Sequence, residues 1–179
     1  MTINIECVSA GNFIIDDEGI KSMHPVSLES SWNGNTLKLE CGITDETLLK
    51  IHDNTRVFFH EKWSQTGRQN VIIQSITTTG QNYLEINIPL ANDCFVDISD
   101  DTVIEITSDN PQSHIYGTVS GSCVIRSENS VAKLSLKIIG NCGVYRFNVI
   151  KELRTHVSGN CSVSLRPGRD CVIYNKVTR

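Results

Sequence analysis

Residues 119–163 read VSGSCVIRSENSVAKLSLKIIGNCGVYRFNVIKELRTHVSGNCSV, and one phrase in them returns every nineteen residues: Gly121-Ser122-Cys123, Gly140-Asn141-Cys142, Gly159-Asn160-Cys161. Other columns keep the same register. Val119, Ile138 and Val157 align, as do Ile125, Val144 and Val163, and Leu134, Leu153 and Val172. Asn129 aligns with Asn148, and Pro167 takes the third place. A preceding copy is legible in Ile104, Ile106, Asn110 and Ile115, so the repeat spans about residues 98–173.

Two architectures fit this period. In a β-solenoid each coil is one turn of the chain and equivalent residues stack about 4.8 Å apart. Apolar columns then fill the interior, glycine permits the corner, and Cys123, Cys142 and Cys161 form an interior ladder of compact hydrophobic side chains. An antiparallel sandwich or barrel of regular hairpins gives the same period, because Gly-Asn is also a hairpin turn signal.

Working outward, the rest of the chain repeats one theme: a polar turn followed by a short β-rich run. Gly11-Asn12 precedes Phe13-Ile14-Ile15, Asn33-Gly34-Asn35 precedes Thr36-Leu37-Lys38-Leu39, and Gly80-Gln81-Asn82 precedes Tyr83-Leu84-Glu85-Ile86. β-branched residues pack well on a pleated surface, whereas Gly, Asn and Asp tolerate positive φ. Many short strands at a spacing of about ten residues predict an all-β fold. The exception is Thr44-Asp45-Glu46-Thr47-Leu48-Leu49-Lys50-Ile51, where Thr44 is a candidate N-cap for at most one short helix near 45–51. The expected organisation is an antiparallel β region over 1–97 and a repeat-containing β region over 98–179, sharing one core.

Composition narrows the function classes. The 179 residues are 39% hydrophobic and 20% charged, with a formal net charge of −4. That balance suits a globular domain and lacks the basic stripe of a nucleic-acid binder. Arg166, Arg169 and Lys176 are the closest basic cluster and read as solvated surface. The start, Met1-Thr2-Ile3-Asn4-Ile5-Glu6, has neither a basic region nor an apolar run, so the expectation is synthesis in the cytoplasm without a signal peptide and no membrane insertion. Seven cysteines without CxxC spacing predict reduced thiols rather than disulfides or zinc.

No phosphate loop, GxSxG elbow or HExxH is present. His60 and Glu61 are adjacent, but on a strand they point to opposite faces. The acidic groups Asp16-Asp17-Glu18 and Asp97, Asp100, Asp101 lack the order of a calcium loop and read as charged turns. Trp32 and Trp63 lie among polar residues. Each either closes one end of the β core or offers a ring to a glycan or a protein partner.

The reading that follows is a non-enzymatic structural or assembly protein, such as a component of a virus or phage particle or another homo-oligomeric assembly. Its partners are further copies or other protein subunits, and no cofactor or metal is expected. The alternative is a glycan- or receptor-binding β module that uses Trp32 and Trp63.

Overall fold

The computed structural model describes backbone and side chains over residues 72–178, and strand backbone alone in six earlier segments. Those segments are β1 (Thr2–Cys7), β2 (Gly11–Asp16), β3 (Gly19–Ser22), β4 (Leu28–Asn33), β5 (Thr36–Cys41) and β6 (Arg56–Val57). Then come β7 (Ile72–Thr78), β8 (Gln81–Ile86), β9 (Leu90–Ile98), β10 (Asp101–Ile106) and β11 (His114–Gly121). The last five are β12 (Val124–Ser127), β13 (Ser130–Gly140), β14 (Gly143–Gly159), β15 (Ser162–Pro167) and β16 (Val172–Thr178). The described residues contain no helix, and the candidate helix near 45–51 falls outside them.

From β7 onward every strand pair is parallel. Up to β13 consecutive strands do not pair with each other, while the long β14 runs through both walls and meets β13 on one and β15 on the other. Each strand pairs with the strand one coil away, building a parallel β-solenoid of about five turns. One wall runs β7-β9-β11-β13, then the second half of β14, then β16. The facing wall runs β8-β10-β12, then the first half of β14, then β15. The hairpin sandwich is thereby excluded for this region. Both folds need two strands and two turns per period, and only the pairing partner distinguishes them.

The coil is continuous upstream of the segment where the repeat is legible. β1 pairs parallel with β7, and β2 pairs parallel with β8. Beyond them each wall gains two more strands, β5 and β4 on one side, β3 and β6 on the other. The antiparallel pairs are β2 with β3, β3 with β6, and β4 with β5.

Alternation along the strands places one set of side chains between the walls. Ile76, Val96, Leu84, Ile104, Ile125, Leu134, Val144 and Phe147 are buried there in one cluster. The registers Val119↔Ile138↔Val157 and Ile125↔Val144↔Val163 are those expected from the repeat. One column needs correction. Leu153 pairs with Ile173, and Val172 pairs with Glu152. The final turn, Pro167 to Cys171, is one residue longer than a strict nineteen-residue beat allows. Coil length varies in earlier turns too: Cys94↔Ile115 are twenty-one apart and Ile76↔Val96 twenty apart. The Asn129–Asn148 alignment slips likewise: Ser130 stands opposite Asn148 and Asn148 opposite Arg166, with register shifts where β14 carries an extra residue against β13 and against β15.

Candidate functional site

The repeated Gly-x-Cys phrase builds a corner. Gly80, Asp100, Gly121, Gly140 and Gly159 stack in one column, all with left-handed φ between 67° and 97°. At Gly140 a Cβ would stand 2.6 Å from the Gly121 carbonyl oxygen, so glycine is required for close stacking as well as for φ. Asp100 is the one non-glycine of the column, and its carboxylate accepts a hydrogen bond from the Gly80 amide at 2.8 Å. Asp100 is thus a corner residue, held by the coil before it.

Two residues on from each corner the side chain turns inward, giving the column Asn82, Thr102, Cys123, Cys142, Cys161. Thr102 Oγ1 lies 3.1 Å from both the Ser99 and Gly80 carbonyl oxygens. The thiols repeat this geometry. Sγ of Cys142 lies 3.1 Å from the Ile139 oxygen and 3.5 Å from the Gly121 oxygen. Cys123 meets the Ser120 and Asp100 oxygens, and Cys161 the Ser158 and Gly140 oxygens. Each S–H therefore donates to a corner carbonyl where Thr102 uses a hydroxyl. Cys94, Cys123 and Cys142 are buried, and all five described cysteines are free thiols. Burial pushes the Cys123 thiol up to about 11 and the Cys94 thiol up to about 12, which keeps both protonated and poorly nucleophilic.

Asparagine marks the opposite corner. Asn148 Nδ2 donates to the Glu128 oxygen at 2.8 Å, Asn110 Nδ2 to the Leu90 oxygen at 2.7 Å, and Asn129 Nδ2 to the Thr107 oxygen. These bonds tie each coil to its predecessor.

Two outward surfaces carry chemistry that the sequence reading missed. On the β9-β11-β13 wall, His114 Nδ1 is 3.3 Å from Asp93 Oδ1 and His114 Nε2 is 3.0 Å from Ser135 Oγ. With Nδ1 protonated, the imidazole donates to Asp93 and accepts from the Ser135 hydroxyl. That is the order of an acid–base–nucleophile relay, drawn from three successive coils. Its signal was hidden because the twenty-one-residue spacing of Asp93 and His114 departs from the repeat. Among the described residues catalytic support around it is slight. Asp93 is 75% exposed, so water competes for its charge. The β13 backbone is paired on both sides, to β11 and β14, which leaves no pair of free amides at Ser135 to hold an oxyanion. The neighbouring rings pack on the relay instead: Tyr116 lies 5.2 Å from His114 and 5.6 Å from Phe95.

On the opposite wall a cleft of about 110 Å³ is lined by Glu105, Arg126, Glu128 and Arg146 among others. Arg126 meets Glu105 at 2.7 Å, and this guanidinium holds the Glu105 carboxyl below the usual range. Arg146 pairs with Glu128. Tyr83 donates to Glu105 at 3.0 Å, and its own phenol is raised, chiefly by burial. Every charge in the cleft is matched within it, so no net charge remains for a ligand.

The third surface is the end of the coil. In the column Val119, Ile138, Val157, Val177 the first two are fully buried, Val157 is partly buried and Val177 is 70% exposed. In Leu134, Leu153, Ile173 it runs 0%, 4%, 47%. On the facing wall Val144 is fully buried and Val163 is 38% exposed. Among the described residues no further coil covers these inward positions, and the outer edges of β15 and β16 carry no paired strand.

Of the tryptophans, Trp32 sits on β4 opposite Leu37, with its side chain outside the described residues, and Trp63 lies outside them altogether. The described residues contain no group of three or more His, Cys, Asp or Glu able to hold a metal. No protein-family model, no curated protein and no solved structure matches the chain.

Proposed function

We propose that this is a non-enzymatic assembly protein: a rigid two-walled solenoid that becomes one part of a larger protein structure by joining through its open end. The carrying observation is the exposure of Val163, Ile173 and Val177, whose columns are buried at Val144, Leu134 and Ile138 in earlier coils. A solenoid end that meets solvent carries a polar outer face, whereas β15–β16 presents Val163, Ile173 and Val177, with Asn175 between the last two. An apolar patch bordered by unpaired backbone donors and acceptors is the chemistry of β-augmentation.

Light scattering across a concentration series tests this reading. The weight-average mass rises with concentration if the end is a joint. A constant monomer mass up to the solubility limit rejects it. The non-enzymatic half has its own test at Ser135. A fluorophosphonate probe leaves Ser135 unlabelled, because the hydroxyl lacks oxyanion support. Stoichiometric labelling there that vanishes in His114→Gln overturns that half.

A further inference from the structure

The cleft on the β8-β10-β12 wall contains a strained residue. Arg146 holds φ at 67°, in the left-handed region. Among the described residues only Asp100 shares that conformation without being glycine. Aspartate tolerates it by bonding locally, as Asp100 does through the Gly80 amide. Arginine has no such local bond, and glycine would fit the position with less strain.

The fold gains little from keeping arginine there. Its guanidinium pairs with Glu128, but the two side chains are 59% and 62% exposed, and a solvated pair of that kind adds little stability. Strain kept without a matching gain in stability is a mark of residues held for a site.

Arg146 lines the cleft of about 110 Å³ together with Arg126, Glu105 and Glu128. The array is fixed in advance. Tyr83 and Arg126 both donate to Glu105 Oε2, at 3.0 and 2.7 Å, and Oε1 accepts no hydrogen bond among the described residues. Glu128 likewise keeps Oε2 open beside its bond from Arg146. The Glu128-Asn129 corner is tied to the coil before it by Asn129 on the Thr107 oxygen, and to the coil after it by Asn148 on the Glu128 oxygen.

Volume and charge select the ligand. The cleft is well below the roughly 300–1,000 Å³ of a cofactor-sized pocket, so it suits one ring-sized group. Its charges cancel, so an ion finds no net attraction. What it offers is guanidinium N–H donors beside open carboxylate oxygens. A vicinal diol satisfies both at once, each hydroxyl accepting from a guanidinium and donating to a carboxylate. Tyr145, in register with Arg126, folds its ring back over Gly143 and stays partly exposed beside the array. That ring gives an apolar surface for the C–H face of a sugar.

We infer that this cleft binds one sugar unit of a neutral glycan through Arg126, Arg146, Glu105 and Glu128. The inference does not rest on the assembly reading, since Glu105 and Arg126 point outward from the wall, across the coil axis. It places the glycan chemistry expected at Trp32 and Trp63 on a different set of residues.

Saturation-transfer NMR of the full chain tests it, with millimolar methyl glycosides of glucose, galactose, mannose, fucose and N-acetylglucosamine as probes. At least one glycoside is expected to receive saturation at its ring protons. Arg146→Gly relieves the left-handed strain while removing the guanidinium. It is expected to melt at or above the wild-type temperature and to bind the same glycoside about tenfold or more weakly. Glu128→Gln keeps the size of the side chain and is expected to weaken binding likewise; it carries the test alone if Arg146→Gly does not fold.

Silence across the panel overturns the inference. So does binding that survives in both variants, which puts the sugar elsewhere on the protein. Methyl phosphate bound where the glycosides are not overturns the neutral ligand. A lower melting temperature for Arg146→Gly with unchanged binding assigns Arg146 to the fold alone and overturns the site.

Discussion

At the scale of single residues the inner corner column is the most informative feature. Thr102 and the three cysteines occupy equivalent positions and make equivalent contacts to a corner carbonyl. What the position demands is a small side chain with one donor. Cys142→Thr is therefore expected to cost about 1 kcal/mol or less, as a hydroxyl replaces the thiol. Cys142→Asp buries an unpaired carboxylate and is expected to cost several kcal/mol; urea unfolding compares the two. Gly140→Ala combines left-handed φ with a clash against the Gly121 oxygen and is expected to cost about 2 kcal/mol or more in the same assay. Alkali supplies a further check. An unfolded cysteine titrates near the ordinary value of 9, whereas native Cys123 and Cys94 are raised to about 11 and about 12. The unfolded chain releases protons that the native state retains. The thiol contribution is thus complete below pH 9 and is lost as pH rises through the native values, on the order of 1–2 kcal/mol per thiol at pH 10.5. Unfolding midpoints at neutral and alkaline pH measure it.

At the scale of elements the Gly-Asn-Cys phrase and the columns led by Val119 and Ile125 were legible because buried columns repeat wherever coil length is constant. The last column slipped by one at Val172 because the Pro167–Cys171 turn adds a residue. The Asp93–His114–Ser135 relay escaped for the same reason, since insertions between coils break the beat that sequence periodicity detects. That relay joins β9, β11 and β13 on an outer surface. Because Asp93 is exposed and His114 is itself 30% exposed, His114→Ala is expected to cost only about 1 kcal/mol of stability by urea unfolding. A loss several times larger would mean that the aromatic stack with Tyr116 and Phe95 depends on the imidazole.

At the scale of the whole molecule each coil contacts only its neighbours, so stability is a sum along the axis and the ends fray first. Hydrogen exchange should be fast in β15 and β16, which have one neighbour, and slow in β11 and β13, which have two. Raising the concentration should protect β15 and β16 if their exposed face is the joint of the assembly reading, and leave them fast-exchanging if it is not. Read alone, the chain specifies an all-β protein, its corners and its buried columns, because glycine, β-branching and a fixed interval are local properties. It leaves open whether two strands per period pair with each other or across coils. It also hides which inward positions lack a covering neighbour. Both depend on where the chain lies after one full turn, and only the assembled walls decide that: they set Ile173 and Val177 at the open end while their equivalents Leu134 and Ile138 lie sealed in the core.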